Sequence, residues 1–462
     1  MTDFNRTIEA MTIRMWVRDI GLLATGSAVA SAAAWIWRTR RDDRRLPILG
    51  GWPKVIVVGA GFGGLRVARG LAGVEADVLV IDRHNYHCFQ PLLYQVATAG
   101  LEPEEIAYPV RRILRDIPNV RFRMTTVTGL DLEHRQLLTD VGAVPYDYLV
   151  LATGSVTNYF GHDELKERAL SLKDLNGAVS LRNHLLDCFE RAIGEKDLQR
   201  RAALLTFVVV GGGPTGVEFA GALAELIRLV LAHDYAGLDV KDARVVLAEA
   251  GPNLLAPFAG DLQKAALRAL HQKGVEIRLA SPVESFDGKT VVLSNGEALA
   301  TETFVWTAGV RPSGLAAEMG LPLVRGGRVN VSPTLQVEGM DNVYAIGDLA
   351  GLEGADGRVL PMLAPVAVQQ GELVAQNVQR QIEGRPLLRF TYHDKGTMAT
   401  IGRNAAVCQI GNLHLTGFPA WVAWLVVHLL QLISFRNRML VLINWIWDYL
   451  FFDRAVRLIT RD

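Results

Sequence analysis

The chain alternates between short, wholly apolar runs and stretches whose apolar positions recur at helical spacing. KVIVV at residues 54–58 is a continuous β-branched run of the kind that forms a buried parallel strand. A glycine-rich turn, Gly59-Ala-Gly61-Phe-Gly-Gly64, and a helical LRVARGLAG follow it. A second run, DVLVI, ends at Asp82. The same order returns later in the chain. TFVVV leads into Gly211-Gly-Gly213-Pro-Thr-Gly216, then VEFAGALAELIRLV, then RVVLA, which ends at Glu249. Strand, glycine turn, helix and strand, met twice, predict an α/β fold with two Rossmann-like dinucleotide-binding units.

Three other apolar segments break this rhythm. Residues 418–435, FPAWVAWLVVHLLQLISF, hold no charged residue beyond a polar stripe of His428, Gln431 and Ser434. Residues 439–452, MLVLINWIWDYLFF, place Asn444 and Asp448 one helical turn apart. Both are expected to be helices lying in a membrane interface, Trp and Leu inward and Arg436 and Arg438 at the headgroups. The second is too short to span, at about 21 Å as a helix. The third segment, residues 20–37, is uncharged and would reach about 27 Å as a helix. A membrane anchor, a cleaved targeting sequence and an unstructured arm all fit it. An anchor is the expectation, and the arginines that follow it would stay in the cytoplasm.

Composition narrows the partners. Lys plus Arg total 48 and Asp plus Glu total 48 among 462 residues, which gives no electrostatic case for nucleic acid. Mean hydropathy is +0.19, so some apolar surface should meet something other than water. Cys88, Cys188 and Cys408 lie far apart in the sequence and form no CxxC pair. A disulfide framework and a metal site are both unexpected. Cys88 reads as a small buried filler.

Each glycine loop has a chemical reason for its spacing. The first glycine permits the tight turn, the second lets the backbone approach a pyrophosphate, and the third lets helix pack on strand. The helix N-terminus then faces the phosphates. Asp82 and Glu249 stand at strand ends where a carboxylate can accept a hydrogen bond from a ribose. At Glu249 the charge would repel a 2′-phosphate, so NADH is expected over NADPH.

Further motifs come in a telling order. DYLVLATGS (147–155) follows the first unit, FVWTAGVRPS (304–313) follows the second, and NVYAIGD (342–348) precedes a helical run. The arrangement resembles the two-dinucleotide-binding-domain flavoproteins. Within them the chain is similar to the type II NADH dehydrogenases, NADH:quinone oxidoreductases that do not pump protons. The most specific stretches are HNYHCFQPLLYQVATAGLEP (84–103), GGGPTGVEFAGALAE (211–225), LAPVAVQQG (363–371), YHDKGTMATIGRNAAV (392–407) and FRNRMLVLINWIWDYLFFDR (435–454).

The resemblance implies non-covalent FAD in the first unit and NADH as substrate in the second. It places Asp348 at the flavin's ribityl–phosphate region, and Gly154 and Gly309 in the crossings between domains. It gives Glu218 a place near flavin and nicotinamide, Gln369 one between flavin and quinone, and Lys395 one near the quinone entry. Gln370 is a further quinone-site candidate. Pro365 stands where many relatives carry glutamine, so the quinone pocket cannot be copied whole.

The implied domains are an N-terminal arm (1–52), an FAD-binding part (53–170), an inserted NADH-binding domain (171–303), a second FAD-binding part (304–390) and a C-terminal membrane-associated domain (391–462). Implied partners are NADH, a membrane quinone, the lipid bilayer and a second copy in a homodimer. The expected location is the cell inner membrane, with the catalytic domain on the cytoplasmic face. The alternatives are a sulfide:quinone oxidoreductase, which usually needs paired cysteines, and a flavoprotein redox sensor that scarcely turns over.

Overall fold

The computed structural model describes residues 51–462 except 236, 240, 241, 355, 356, 452, 453, 455, 461 and 462. The apolar segment 20–37 lies outside the described residues.

The first unit begins with β1 (Lys54–Val58), α1 (Phe62–Gly70) and β2 (Asp77–Asp82), followed by β3 (Val120–Met124) and β4 (Tyr148–Leu151). The second contains β5 (Leu170–Ser171), α2 (Leu175–Gly194), β6 (Thr206–Val210), α3 (Pro214–Glu225), β7 (Arg244–Ala248), β8 (Val275–Arg278) and β9 (Thr303–Trp306). The chain then returns to the first sheet with β10 (Val343–Ala345) and to its face with α4 (Ala364–Ile382).

Both sheets are five-stranded and parallel, and four strands of each are ordered alike. The first runs β10-β4-β1-β2-β3, and the second runs β5-β9-β6-β7-β8. All five residues of β6 are buried and four of the five of β1, because helices cover both faces of a parallel sheet. In each sheet the chain direction of winding reverses beside the strand that leads into the glycine loop, at β1/β4 and at β6/β9. That is where an open α/β sheet leaves a crevice at its carboxyl ends. Strand β9 belongs to the second sheet, so this sheet runs past the boundary expected at residue 303. The two crossings between units run side by side, Ser155–Thr157 pairing antiparallel with Val310–Pro312.

A three-stranded antiparallel sheet (Thr397–Thr400, Ala406–Ile410, Leu413–Thr416) precedes the two terminal helices, α5 (Gly417–Gln431) and α6 (Phe435–Phe451). The helices break earlier than the apolar pattern suggests. Ser434 takes φ 82°, a left-handed conformation that ends the first, and Arg438 Nε caps the break by donating to the Leu432 carbonyl. Arg436 and Arg438 therefore lie within α6 rather than between the helices. Among the described residues, no helix is long and apolar enough to cross a membrane.

One face of this helix pair belongs to the protein's own core. Trp424 is fully buried, as is Val441. Asn437 donates to the carbonyls of Glu104 and Glu105, Asn444 to the Glu105 carboxylate, and Trp445 Nε1 to Gln95 Oε1 at 2.7 Å. The opposite face is bare. Ile443, Ile446, Trp447, Leu450 and Phe451 are each at least half exposed and recur at helical spacing on α6.

Candidate functional site

The two glycine loops have the same construction. Gly59 and Gly211 adopt φ 104° and 110°, a region that favours glycine. A Cβ on Gly59 would sit 2.3 Å from the Ala152 carbonyl oxygen, and one on Gly211 2.7 Å from Ala308. The first glycine of each loop is thus pressed against the chain leaving the neighbouring strand, β4 or β9. A Cβ on Gly64 would lie 1.8 Å from the Gly59 oxygen, and one on Gly216 1.9 Å from the Gly211 oxygen. The middle glycines differ from both. A Cβ on Gly61 or Gly213 would meet nothing within 4 Å. Each loop is closed against protein at its ends and open at its centre, beside a helix N-terminus. That is the cradle a pyrophosphate needs.

The strand-end carboxylates brace these cradles. Asp82 accepts from Ala60 N at 2.7 Å and from His84 N at 2.8 Å. Glu249 accepts from Gly212 N at 2.5 Å and from Gly251 N at 2.6 Å. Each carboxylate oxygen retains a lone pair for a sugar hydroxyl. Neither residue is a free strand end.

Gly154 (φ 66°) and Gly309 (φ 148°) stand at the two crossings. Thr153 and Ser313 share a hydroxyl hydrogen bond of 2.7 Å there. Asp348 follows Gly347 (φ 69°) in the turn after β10 and accepts a hydrogen bond from Ser155 Oγ. Gln370 is the quinone-site candidate next to Gln369. It is fully buried, and its amide oxygen is held by Gly347 N at 2.6 Å. Its Nε2 has no partner. An orphaned buried donor beside the first cradle fits a ligand rich in acceptors. Together with the open space at Gly61, it makes the first unit a fit for a flavin dinucleotide.

Glu218 lies past the first turn of α3, so it is not a helix-start carboxylate of the ordinary kind. It is buried, and Thr400 N donates to it at 3.3 Å. Burial pushes its pKa up to about 8, with Thr400 N–H pulling the other way. The Trp424 indole N–H faces the same carboxyl without closing a hydrogen bond of good geometry. Around it stand Tyr94, also buried, and His428, stacked on Trp424 with centroids 4.0 Å apart. Burial pushes His428 down to about 4, so it is neutral at physiological pH.

Gln369 forms a reciprocal pair with one backbone unit. Its Nε2 donates to the His393 carbonyl at 3.0 Å, and His393 N donates back to its Oε1 at 3.0 Å. This pins α4 to the segment carrying Lys395, which is exposed. Pro365 occupies the first turn of α4, where a missing N–H costs nothing. The structure therefore groups Gln369 with Lys395, and Gln370 with Asp348.

The cysteines are set for packing. Burial pushes the Cys88 thiol up to about 12 and that of Cys188 to about 11. All three are free, and no cluster of metal-ligating side chains occurs among the described residues.

With the geometry in place, comparison with known proteins decides the family. Residues 53–371 match the pyridine nucleotide-disulphide oxidoreductase family, and residues 394–454 match the NDH2 C-terminal domain. The chain is 40% identical over 422 residues to the type II NADH:quinone oxidoreductase Ndh of Mycobacterium tuberculosis, covering 88% of this chain and 90% of that one. The chain belongs to the type II NADH:quinone oxidoreductases. The corresponding enzyme of Staphylococcus haemolyticus is 32% identical over 375 residues, covering 79% of this chain and 92% of its own. In fold, the chain is similar to NDH2 of Plasmodium falciparum in complex with NADH. The TM-score is 0.80 and the identity 20%, over 88% of this chain and all of that one.

Sequence reasoning missed two features of this site. Tyr94 and Trp424 read only as parts of apolar stretches, although they wall Glu218. Lys173, whose Nζ donates to Ser155 Oγ at 3.0 Å, has no motif signal of its own.

Proposed function

We propose that this chain is a membrane-attached enzyme that oxidises NADH and reduces a membrane quinone through non-covalently bound FAD, without pumping protons. One observation carries the reading: a single chain holds two equivalent cradles, each closed at its outer glycines and open at its middle one. Gly59, Gly61, Gly64, Asp82, Gly154 and Asp348 hold FAD. Gly211, Gly213, Gly216, Glu249 and Gly309 hold NADH. When bound, the flavin supplies the chemistry that accepts a hydride and later yields electrons.

The chain's own residues orient, exclude water and hold a proton. Glu249 presents a carboxylate where a 2′-phosphate would stand and selects NADH. Glu218, buried with an elevated pKa, keeps a proton near neutrality close to the flavin and nicotinamide. Gln369 and Lys395 border the quinone entry, with Pro365 removing the side-chain donor that many relatives have there. The bare face of α6 lies in the interface of the cell inner membrane, on the cytoplasmic side. NADH then arrives from water and quinone from lipid. A homodimer fits the family.

The experiment is NADH-driven quinone reduction by the protein on liposomes. Steady turnover supports the reading. Flavin that NADH reduces but quinone scarcely reoxidises would favour a redox sensor instead. Deleting residues 418–454 would remove Trp424 and Val441 from the core, so charge on the bare face is the cleaner probe of attachment. Ile443→Asp with Leu450→Asp should release the protein from liposomes while NADH still reduces its flavin. Undiminished attachment would move the anchor elsewhere.

A further inference from the structure

Lys173 is a cation at the crevice of the first unit to which the reading above gives no task. It stands just before α2, whose N-cap Asp174 spends its carboxylate on Gly177 N at 2.8 Å. The ammonium donates to Ser155 Oγ at 3.0 Å, and Ser155 in turn donates to Asp348. A chain of Lys173, Ser155 and Asp348 thus ties the loop before α2, the crossing after Gly154 and the turn after β10. These three segments come from distant parts of the sequence. They meet where the crevice of the first sheet opens toward the second unit.

Lys173 has capacity to spare. An ammonium carries three donors, and only one has a protein acceptor among the described residues. No carboxylate there lies within ion-pairing distance of it. Burial lowers its pKa, and the charges of Asp348 and Asp174 oppose that. A partly buried cation held by a serine, with no carboxylate at ion-pairing distance, has donors left for a ligand. Gln370 Nε2, another unspent donor, hangs from the same turn through Gly347, and Arg328, whose Nε is likewise unpartnered, donates to the Gly347 carbonyl.

We propose that Lys173 faces the flavin and stabilises the negative charge that the cofactor gains on reduction. The inference rests on FAD occupying the first cradle. The balance is simple. A C–H bond of the reduced nicotinamide breaks, and a hydride, two electrons and one proton, passes to the flavin. The nicotinamide ends one charge more positive and the flavin one charge more negative. A fixed cation beside the cofactor favours that product over the oxidised, neutral form. Lys173 therefore raises the flavin's reduction potential and pulls the first half-reaction forward.

The test is the two-electron midpoint potential of the bound flavin, measured by spectroelectrochemistry without NADH or quinone. Lys173→Met should retain FAD and lower the potential by about 30 mV, which is about a tenfold change in the reduction equilibrium. Lys173→Arg, which keeps the charge, should restore most of it. An unchanged potential in flavin-replete Lys173→Met overturns the proposal and leaves the FAD reading standing. Wild-type protein that takes up no flavin brings down the FAD reading itself. If Lys173→Met cannot hold flavin, retention by Lys173→Arg supports the need for charge. Loss from both variants overturns the proposal, because shape and not charge would then be the requirement.

Discussion

The two nucleotide units share a backbone and differ in what surrounds it. Both loops close on their own third glycine and leave the second open, and both are braced by a strand-end carboxylate. Their neighbours diverge. Around the first cradle stand Lys173, Ser155 and Asp348, joined in a chain of hydrogen bonds, and Gln370, held by Gly347 N. Beside the second, the helix carries a buried acid, Glu218, walled by Tyr94 and Trp424. The lesson is that the backbone supplies nucleotide binding, and side chains outside the motif assign each site its part. One surrounding is built to hold a charged group in place, and the other to keep a carboxyl protonated.

The sharpest way to break the comparison is to close one cradle at a time. Gly64→Ala would drive a methyl group into the Gly59 carbonyl. It should yield protein without stoichiometric flavin, read from the visible spectrum. Gly216→Ala makes the same collision in the second loop. It should retain flavin and lose reduction by NADH by about a hundredfold or more, as expected when a phosphate cradle is lost. Similar losses in both variants would show that the loops are not separate sites.

Next in size is Glu249→Ala. It removes a charged acceptor worth about 1.5–3 kcal/mol, so kcat/KM for NADH should fall about tenfold to a hundredfold. The preference over NADPH should shrink with it. Equal selectivity before and after would remove Glu249 from the ribose. Gln369→Ala should slow flavin reoxidation by quinone by about tenfold and spare reduction by NADH. Because Gln369 also pins His393, both half-reactions slowing together would make it a positioning residue only.

The smallest effect is the most diagnostic of Glu218. Its folded pKa, about 8, lies above its unfolded value. The native state then binds more protons than the unfolded state between about pH 4.5 and 8. Stability from this group is full below that window and is lost as pH rises through it. Glu218→Gln should therefore flatten the decline in Tm across the window. An equally steep decline in the variant would mean that the carboxyl is ionised when folded.

Much of this was legible in the sequence because backbone constraints leave residue-type traces. Positive φ and close approach at Gly59, Gly64, Gly211 and Gly216 require glycine at fixed spacing, so both βαβ units could be read from a single chain. The terminal helices were legible as apolar runs. Their true ends were not, because the break depends on one left-handed serine, and α6 begins at Phe435 rather than 439. The antiparallel sheet at 397–416 gave no clean alternation, since α5 covers part of it. Lys173 and Tyr94 stayed hidden for another reason. Their partners, Ser155 and Trp424, are brought near only by the fold, and nothing local marks a lysine or tyrosine for that meeting.

The most direct measurement is an anaerobic titration of the purified protein's flavin absorbance, first with NADH and then with a soluble quinone. The colour should bleach with about one equivalent of NADH per chain and return on quinone addition, as hydride transfer between two sites in one chain requires. A colourless chain that cannot be loaded with FAD, or a colour that NADH leaves untouched, would contradict the account.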